Sequence, residues 1–350
     1  ACKAFKDRIA EQDSTAIGRL RAAGATLFGR TNSPEIGTLP VTENELYGPT
    51  HNPWNFEFTA GGSSGGAAAA VAAGMAPLAH GSDGGGSIRI PASCCHLVGL
   101  KVSRGRIPRG PLISDVLHGC AVDGCLSRHV VDTARFLDTV AYQDPTAWYT
   151  LPTPRTSYEK QLELVLPPLE FAVDSKGPLS FDCHPDYEPL LEKVATLLEK
   201  AGHHRRSQSI QWGPFGKETL AEDFFRLWYT GSAYCEPMDF AELEPVNLAL
   251  REKGLATNSI DYVQSLLRLQ AFSRLICGQL MDKLQVLVMP TLSGPPPKTG
   301  WLFEDLDNPI DADKALWRAT EMVPYTGFAN ISGLPAISIP AGFSKDGLPM

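Results

Sequence analysis

Apolar positions recur at helical spacing in several stretches of the chain. Asp13-Ser14-Thr15, followed by Ile17, Leu20 and Ala23 with Gly24 behind, predicts a capped helix ended by glycine. Ser127 reads as the cap of a helix whose apolar face is Val131, Ala134, Leu137 and Val140-Ala141. Leu190, Leu191, Val194, Leu197 and Leu198 share one face of a helix ending at Gly202. A longer helix is expected from Ser259 to Lys283, with Val263, Leu266, Leu267 and Leu275 among its buried positions. Short apolar runs at Ala25–Phe28, Leu97–Val102, Phe171–Val173, Val286–Met289 and Ala336–Ile339 predict strands. The last two are bounded by proline and read as buried. Ala67–Ala73 is a short helix of small residues, closed at Gly74 and expected to be packed on every side. Residues 37–66, the rest of 76–110, and Tyr142–Pro154 read as loop. Strands alternating with helices point to an α/β layer structure.

Composition narrows the class. The 350 residues are 43% hydrophobic and 20% charged, ordinary for a soluble globular protein and enough to bury a large core. The net charge of −8, without a long run of like charges, argues against nucleic acid or an anionic membrane as partner. No apolar run reaches a membrane span. Cys2, Cys94, Cys95, Cys120, Cys125, Cys183, Cys235 and Cys277 form no C-x-x-C pair and read as buried thiols of a reducing, cytoplasmic compartment. None of the histidines shows metal-ligand spacing, so no metal is expected. The chain starts at Ala1 without Met and stops after Gly347-Leu348-Pro349-Met350, so both ends are expected to be cut. Targeting is then not legible.

Two segments concentrate the candidate chemistry: Gly61-Gly62-Ser63-Ser64-Gly65-Gly66 and Gly81-Ser82-Asp83-Gly84-Gly85-Gly86-Ser87-Ile88-Arg89. Such glycine density lets backbone amides approach a ligand closely. Phosphate binding needs a lysine and hydroxyl after the loop, or dinucleotide glycine spacing after a strand, and neither segment has them. A nucleophile elbow fits the letters G-x-S-x-G at Ser63 and Ser64, but the residues before them read as loop rather than strand. Tight turns alone explain one glycine-rich loop better than two with three serines between 63 and 87. A two-serine hydrolase remains.

Gly29-Arg30-Thr31-Asn32, Gly48-Pro49-Thr50, Asn52-Pro53-Trp54, the two glycine-serine segments and Val98-Gly99-Leu100-Lys101 together resemble the amidase signature family. Gly124-Cys125-Leu126-Ser127-Arg128 and Ala329-Asn330-Ile331-Ser332-Gly333-Leu334-Pro335-Ala336 match the family's later segments. Glu45 to Thr50 is similar to 6-aminohexanoate cyclic-dimer hydrolases and general amidases. The resemblance implies a single α/β domain, with a mixed sheet flanked by helices on both faces. It also implies hydrolysis of a small-molecule carboxylic amide without a cofactor, with a homodimer as the candidate assembly.

By that resemblance Ser87 is the nucleophile that forms an acyl-enzyme. Ser63, joined to Gly62 by a cis peptide, relays the proton to a neutral lysine. The N–H groups of Gly84, Gly85, Gly86 and Ser87 form the oxyanion hole. Asp83 and Arg89 hold the loop, while Ser64 and Ser82 support the site. The pocket is expected to draw on the residues around Tyr325 to Asn330. The lysine base is expected upstream of this chain: Lys6-Asp7 sits directly before the first helix, and Lys101 reads as structural. Ser157-Tyr158-Glu159-Lys160 matches S-x-x-K by letters alone. His96 replaces a family glycine and reads as a packed histidine, Val102-Ser103 replaces Pro-Thr, and Gly84 replaces threonine or a small residue. The competing readings are an amidotransferase A-type subunit, which releases ammonia from glutamine, and an inactive remnant.

Overall fold

The computed structural model describes residues 1–234, 240–282, 284–306 and 309–350, so Cys235 and Lys283 lie outside it. Helix α1 (Thr15–Ala22) opens on Ser14, whose hydroxyl oxygen accepts the Ile17 N–H at 3.4 Å, and the chain leaves it at Gly24 with φ +88°. Ala25 to Phe28, expected as a strand, is exposed and pairs with no strand among the described residues; the Ala25 N–H instead closes the end of α1 on the Leu20 carbonyl at 3.0 Å. Within the expected loop, β1 (Glu43–Asn44) pairs with β2 (Gly48–Pro49), and β3 (His51–Asn52) with β4 (Asn55–Thr59), as two short antiparallel ribbons. The small-residue helix α2 (Gly65–Ala72) buries Ala67, Ala68 and Val71 but leaves Ala69 and Ala70 partly exposed, so its packing is one-sided.

The next elements carry the site: β5 (Leu78–Asp83), α3 (Arg89–Cys94), β6 (Val98–Lys101) and β7 (Val122–Ser127). They are followed by α4 (Val130–Val140), α5 (Tyr158–Gln161), β8 (Glu170–Val173), α6 (Tyr187–Lys200) and β9 (His204–Arg205). The remainder comprises α7 (Lys217–Ala233), α8 (Pro245–Ala256), α9 (Ser259–Asp282), β10 (Val286–Val288), α10 (Ala312–Met322), α11 (Gly327–Ser332) and β11 (Ala336–Ser338). Strands in the order β11-β6-β7-β5 form an antiparallel sheet, and β10-β8-β9 form a parallel one. The two approach where the hydroxyls of Thr291, just after β10, and Ser338, in β11, lie 2.9 Å apart. Helices cover both faces of the antiparallel sheet. Leu20 of α1 with Leu137 and Val140 of α4 pack against Cys125, while Ala68 of α2 and Ile88 lie in the cluster that holds Leu126.

Several sequence expectations are corrected here. Residues 76–110, read as loop apart from one strand, also contain β5 and α3. Ser127 ends β7 and donates its hydroxyl to the His129 carbonyl at 2.8 Å, and His129 is the N-cap of α4. Along α9 the buried residues are Ser265, Leu269, Phe272 and Ile276, whereas Val263 and Leu267 are exposed. Leu197 of α6 also faces solvent. Val286 to Val288 are half-buried, and Ile337 and Ile339 are exposed, because these strands lie at sheet edges.

Candidate active site

Both candidate serines stand on strand-to-helix turns. The chain passes from β4 through Ala60–Ser64 into α2, and from β5 through Gly84–Ile88 into α3. The Gly62–Ser63 peptide is cis. Thr42 clamps the first turn from both sides, its hydroxyl donating to the Gly61 carbonyl at 2.8 Å and accepting the Gly65 N–H at 3.1 Å. The Ser64 N–H donates to the Ser87 carbonyl at 3.1 Å, which ties the two turns together. The Ser64 hydroxyl is engaged with the backbone of Ser82, 3.4 Å from both its N–H and its carbonyl. Ser63 and Ser87 are both buried.

The second turn is built on a buried charge pair. Arg89 donates from Nε to Asp83 Oδ2 and from Nη2 to Asp83 Oδ1, each at 2.9 Å, with both side chains almost without exposure. The Asp83 carboxylate also accepts the N–H groups of Gly86 at 2.8 Å and Ile88 at 3.3 Å. Asn330 of α11 closes the network. Its Nδ2 donates to Asp83 Oδ1 at 2.8 Å, and its Oδ1 accepts from Arg89 Nη2 at 2.6 Å. Burial by itself raises the Asp83 carboxyl, but the Arg89 charge and the donated hydrogen bonds outweigh it and hold the group down to about 2. A buried pair so fully bonded fixes the loop's shape rather than offering a free acid.

This geometry divides the expected oxyanion donors. The Gly86 N–H is committed to Asp83, whereas those of Gly84, Gly85 and Ser87 have no acceptor among the described residues. The Thr326 hydroxyl donates to the Gly85 carbonyl, which ties the turn to the start of α11. Gly86 has φ +135°, and a Cβ there would lie 2.7 Å from Ile90 Cδ1, so a side chain is excluded on both counts.

Two cavities meet at Ser87. One, of about 100 Å³, is lined by Gly85, Ser87 and apolar side chains from α7, α10 and α11, including Leu220, Phe224, Phe225, Leu316 and Phe328. The other, of about 200 Å³, is lined by Ser63, Ser82, Gly84, Ser87, Arg109 and Ser232 together with apolar side chains such as Val116 and Leu117. Thr38 and Trp228 line both, and the Trp228 indole N–H donates to the Thr38 carbonyl at 2.9 Å. Sequence reading missed both residues. From the segment expected to line the pocket, Pro324, Gly327, Phe328 and Ile331 do so, while Tyr325 turns away and donates to the Ser175 carbonyl at 3.1 Å.

Among the described residues no lysine lines either cavity. Lys6 is exposed. Lys101 is buried and donates to the Val102 carbonyl at 2.9 Å, and burial together with the Arg89 charge depresses its ammonium to about 7. Ser157 caps α5, accepting the Lys160 N–H at 3.3 Å, so S-x-x-K is a helix start there. His96 stacks on Phe343 with ring centroids 4.5 Å apart and meets the edge of Trp54. No cluster among the described residues could hold a metal ion, and no described helix is long and apolar enough to cross a membrane. The seven described cysteines are free thiols.

Comparison with known proteins places this geometry. The amidase family model matches residues 1–350. A Synechocystis sp. protein with a provisional amidase assignment is 36% identical over 348 residues, covering 99% of this chain and 65% of that protein. The 6-aminohexanoate-cyclic-dimer hydrolase of Paenarthrobacter ureafaciens is 32% identical, covering 97% of this chain and 72% of the hydrolase. A solved 6-aminohexanoate cyclic dimer hydrolase complexed with substrate superposes with a TM-score of 0.90 at 31% identity, covering 97% of this chain and 73% of that one. The chain thus spans about two thirds of the length of these relatives, and it belongs to the amidase signature family.

Proposed function

We propose that the chain carries the acyl-transfer centre of an amide hydrolase. Ser87 Oγ attacks the amide carbonyl carbon, forming the C–O bond of an acyl-enzyme as the C–N bond breaks. The Ser87 proton passes to Ser63 and its base and then to the leaving nitrogen. Water repeats the sequence on the ester, releasing the acid and regenerating Ser87. The tetrahedral oxyanion is received by the N–H groups of Gly84, Gly85 and Ser87. One such donor contributes about 3 kcal/mol to the transition state. The base is a lysine outside the described residues.

One observation carries this reading. Ser87 lies where two cavities meet, on a glycine turn with unengaged N–H groups, and Ser63 opens onto the second cavity. The apolar lining of the first cavity favours a hydrolase over transfer of ammonia from glutamine. The product of the complete gene tests the reading. It is expected to release acid and amine from simple amides, to take a fluorophosphonate label at Ser87, and to lose both in Ser87→Ala. Labelling at Ser64, or full turnover by Ser87→Ala, overturns the assignment. Failure of the intact gene product to turn over any amide supports a remnant, and ammonia released from glutamine only with partner subunits supports the amidotransferase.

A further inference from the structure

The two cavities differ in chemistry, and the difference sets the direction in which an amide lies. We infer that the substrate's acyl group occupies the apolar cavity and its leaving amine the polar one, so that the site selects amides of apolar acids with small polar amines. The inference rests on the acyl-enzyme reading above and adds the substrate class.

Ser87 lines both cavities, so the scissile carbonyl sits at their junction. Ser63 lines only the polar cavity. The leaving nitrogen must take its proton from the Ser63 hydroxyl, and proton transfer needs hydrogen-bond reach. The amine is thereby assigned to the Ser63 side. Its walls carry Ser82, Ser232 and Arg109 beside apolar side chains such as Val116 and Leu117; Arg109 pairs through Nη2 with Asp123 at 3.4 Å, while its buried Nη1 has no hydrogen-bond partner among the described residues, so an acceptor on the amine portion finds an open donor there. Among the described residues the opposite cavity carries no charged side chain, and burying an ammonium there is strongly unfavourable. An alkyl or aryl acyl chain gains from the same surface. The Trp228–Thr38 hydrogen bond stands between the two cavities. The Trp228 ring also reaches the oxyanion segment, since a Cβ on Gly85 would lie 3.5 Å from both its ring and the Phe224 ring.

The isomers octanamide and N-hexylacetamide test this assignment. They share one formula but carry the long chain on opposite sides of the amide. Calorimetric titration into the full chain bearing Ser87→Ala is expected to show octanamide binding at least about tenfold more tightly, each buried methylene contributing roughly fourfold. Ala319→Phe, which narrows the apolar cavity, is expected to erase that preference, with thermal unfolding showing that the variant is folded. Leu220→Ala, which widens the cavity, gives a second reading through tighter binding of the decyl homologue decanamide. Equal affinities, a preference for N-hexylacetamide, or no binding of either isomer overturns the orientation. Binding to Ser87→Ala requires no chemistry, so such a failure is distinct from failure of the hydrolase reading, which turnover by the complete gene product decides.

Discussion

The guanidinium of Arg89 holds both carboxylate oxygens of Asp83, at 2.9 Å each, directly beneath the turn that presents Ser87. The residues between them, Gly84 to Ile88, are the turn itself, so the pair closes a short loop from the last residue of β5 to the first of α3. The same carboxylate takes up the N–H groups of Gly86 and Ile88, whereas those of Gly84, Gly85 and Ser87 find no acceptor among the described residues.

Asp83→Asn is therefore expected to destabilise the fold by about 3–5 kcal/mol, because it strands the Arg89 charge in the interior. Urea unfolding at neutral pH measures this. In the wild type the Asp83 carboxyl is held at about 2, below its ordinary 3.8. Its stabilising contribution is thus complete above about pH 4 and is lost as pH falls through about 2. The acid limb of the stability curve between these values is expected to flatten in the asparagine variant.

Lys101 acts in the opposite sense. Its ammonium is depressed from about 10.5 to about 7 by burial, so between those values the unfolded chain binds the proton and the folded chain does not. Stability then rises with pH across this window. Denaturation midpoints taken from pH 7 to 9 are expected to climb in the wild type and to stay level in Lys101→Met.

Gly66 is fixed by close approach. A Cβ there would lie 2.5 Å from the carbonyl oxygen of Asn32 and 2.9 Å from its Cα, and neither backbone atom can yield cheaply. Gly66→Ala is expected to cost several kcal/mol, at the upper end for a single substitution. Gly29→Ala, where no atom lies within 4 Å of the added methyl group, is expected to leave the unfolding temperature within a few degrees of wild type.

Trp228→Phe removes the donor to the Thr38 carbonyl while keeping an aromatic ring in place. The expected cost is about 1 kcal/mol of stability. Its diagnostic effect is on selectivity: with the partition weakened, the octanamide preference over its isomer is expected to shrink.

The two glycine-serine segments and the family resemblance were legible in the sequence because their chemistry is local. A turn that admits backbone amides to a ligand needs contiguous glycines, and a nucleophile needs a hydroxyl beside them. The capped helix at Ser14 and the helix that became α9 were legible for the same reason, since caps and helical period act over a few residues. The strands β5 and β7 were not. All six residues of β7 are buried, so they show no alternation, and β5 reads Leu-Ala-His-Gly-Ser-Asp, which resembles a loop. The buried face of α9 was misread because which side of that helix meets α7 and α11 is decided by packing, not by its own apolar residues.

What only the tertiary structure decided is how distant residues converge on Ser87. Trp228 reaches Thr38 across 190 positions, and Asn330 reaches Asp83 across 247. Hydrogen bonds of that kind leave no periodic trace in sequence, because each is a single contact between elements whose own patterns are set by other neighbours. The sequence by itself determined which hydroxyls and backbone N–H groups the two glycine-rich segments hold. Folding determined which of the glycine N–H groups stay unengaged and that Ser87 stands between an apolar cavity and a polar one, because both depend on burial that only the assembled layers create.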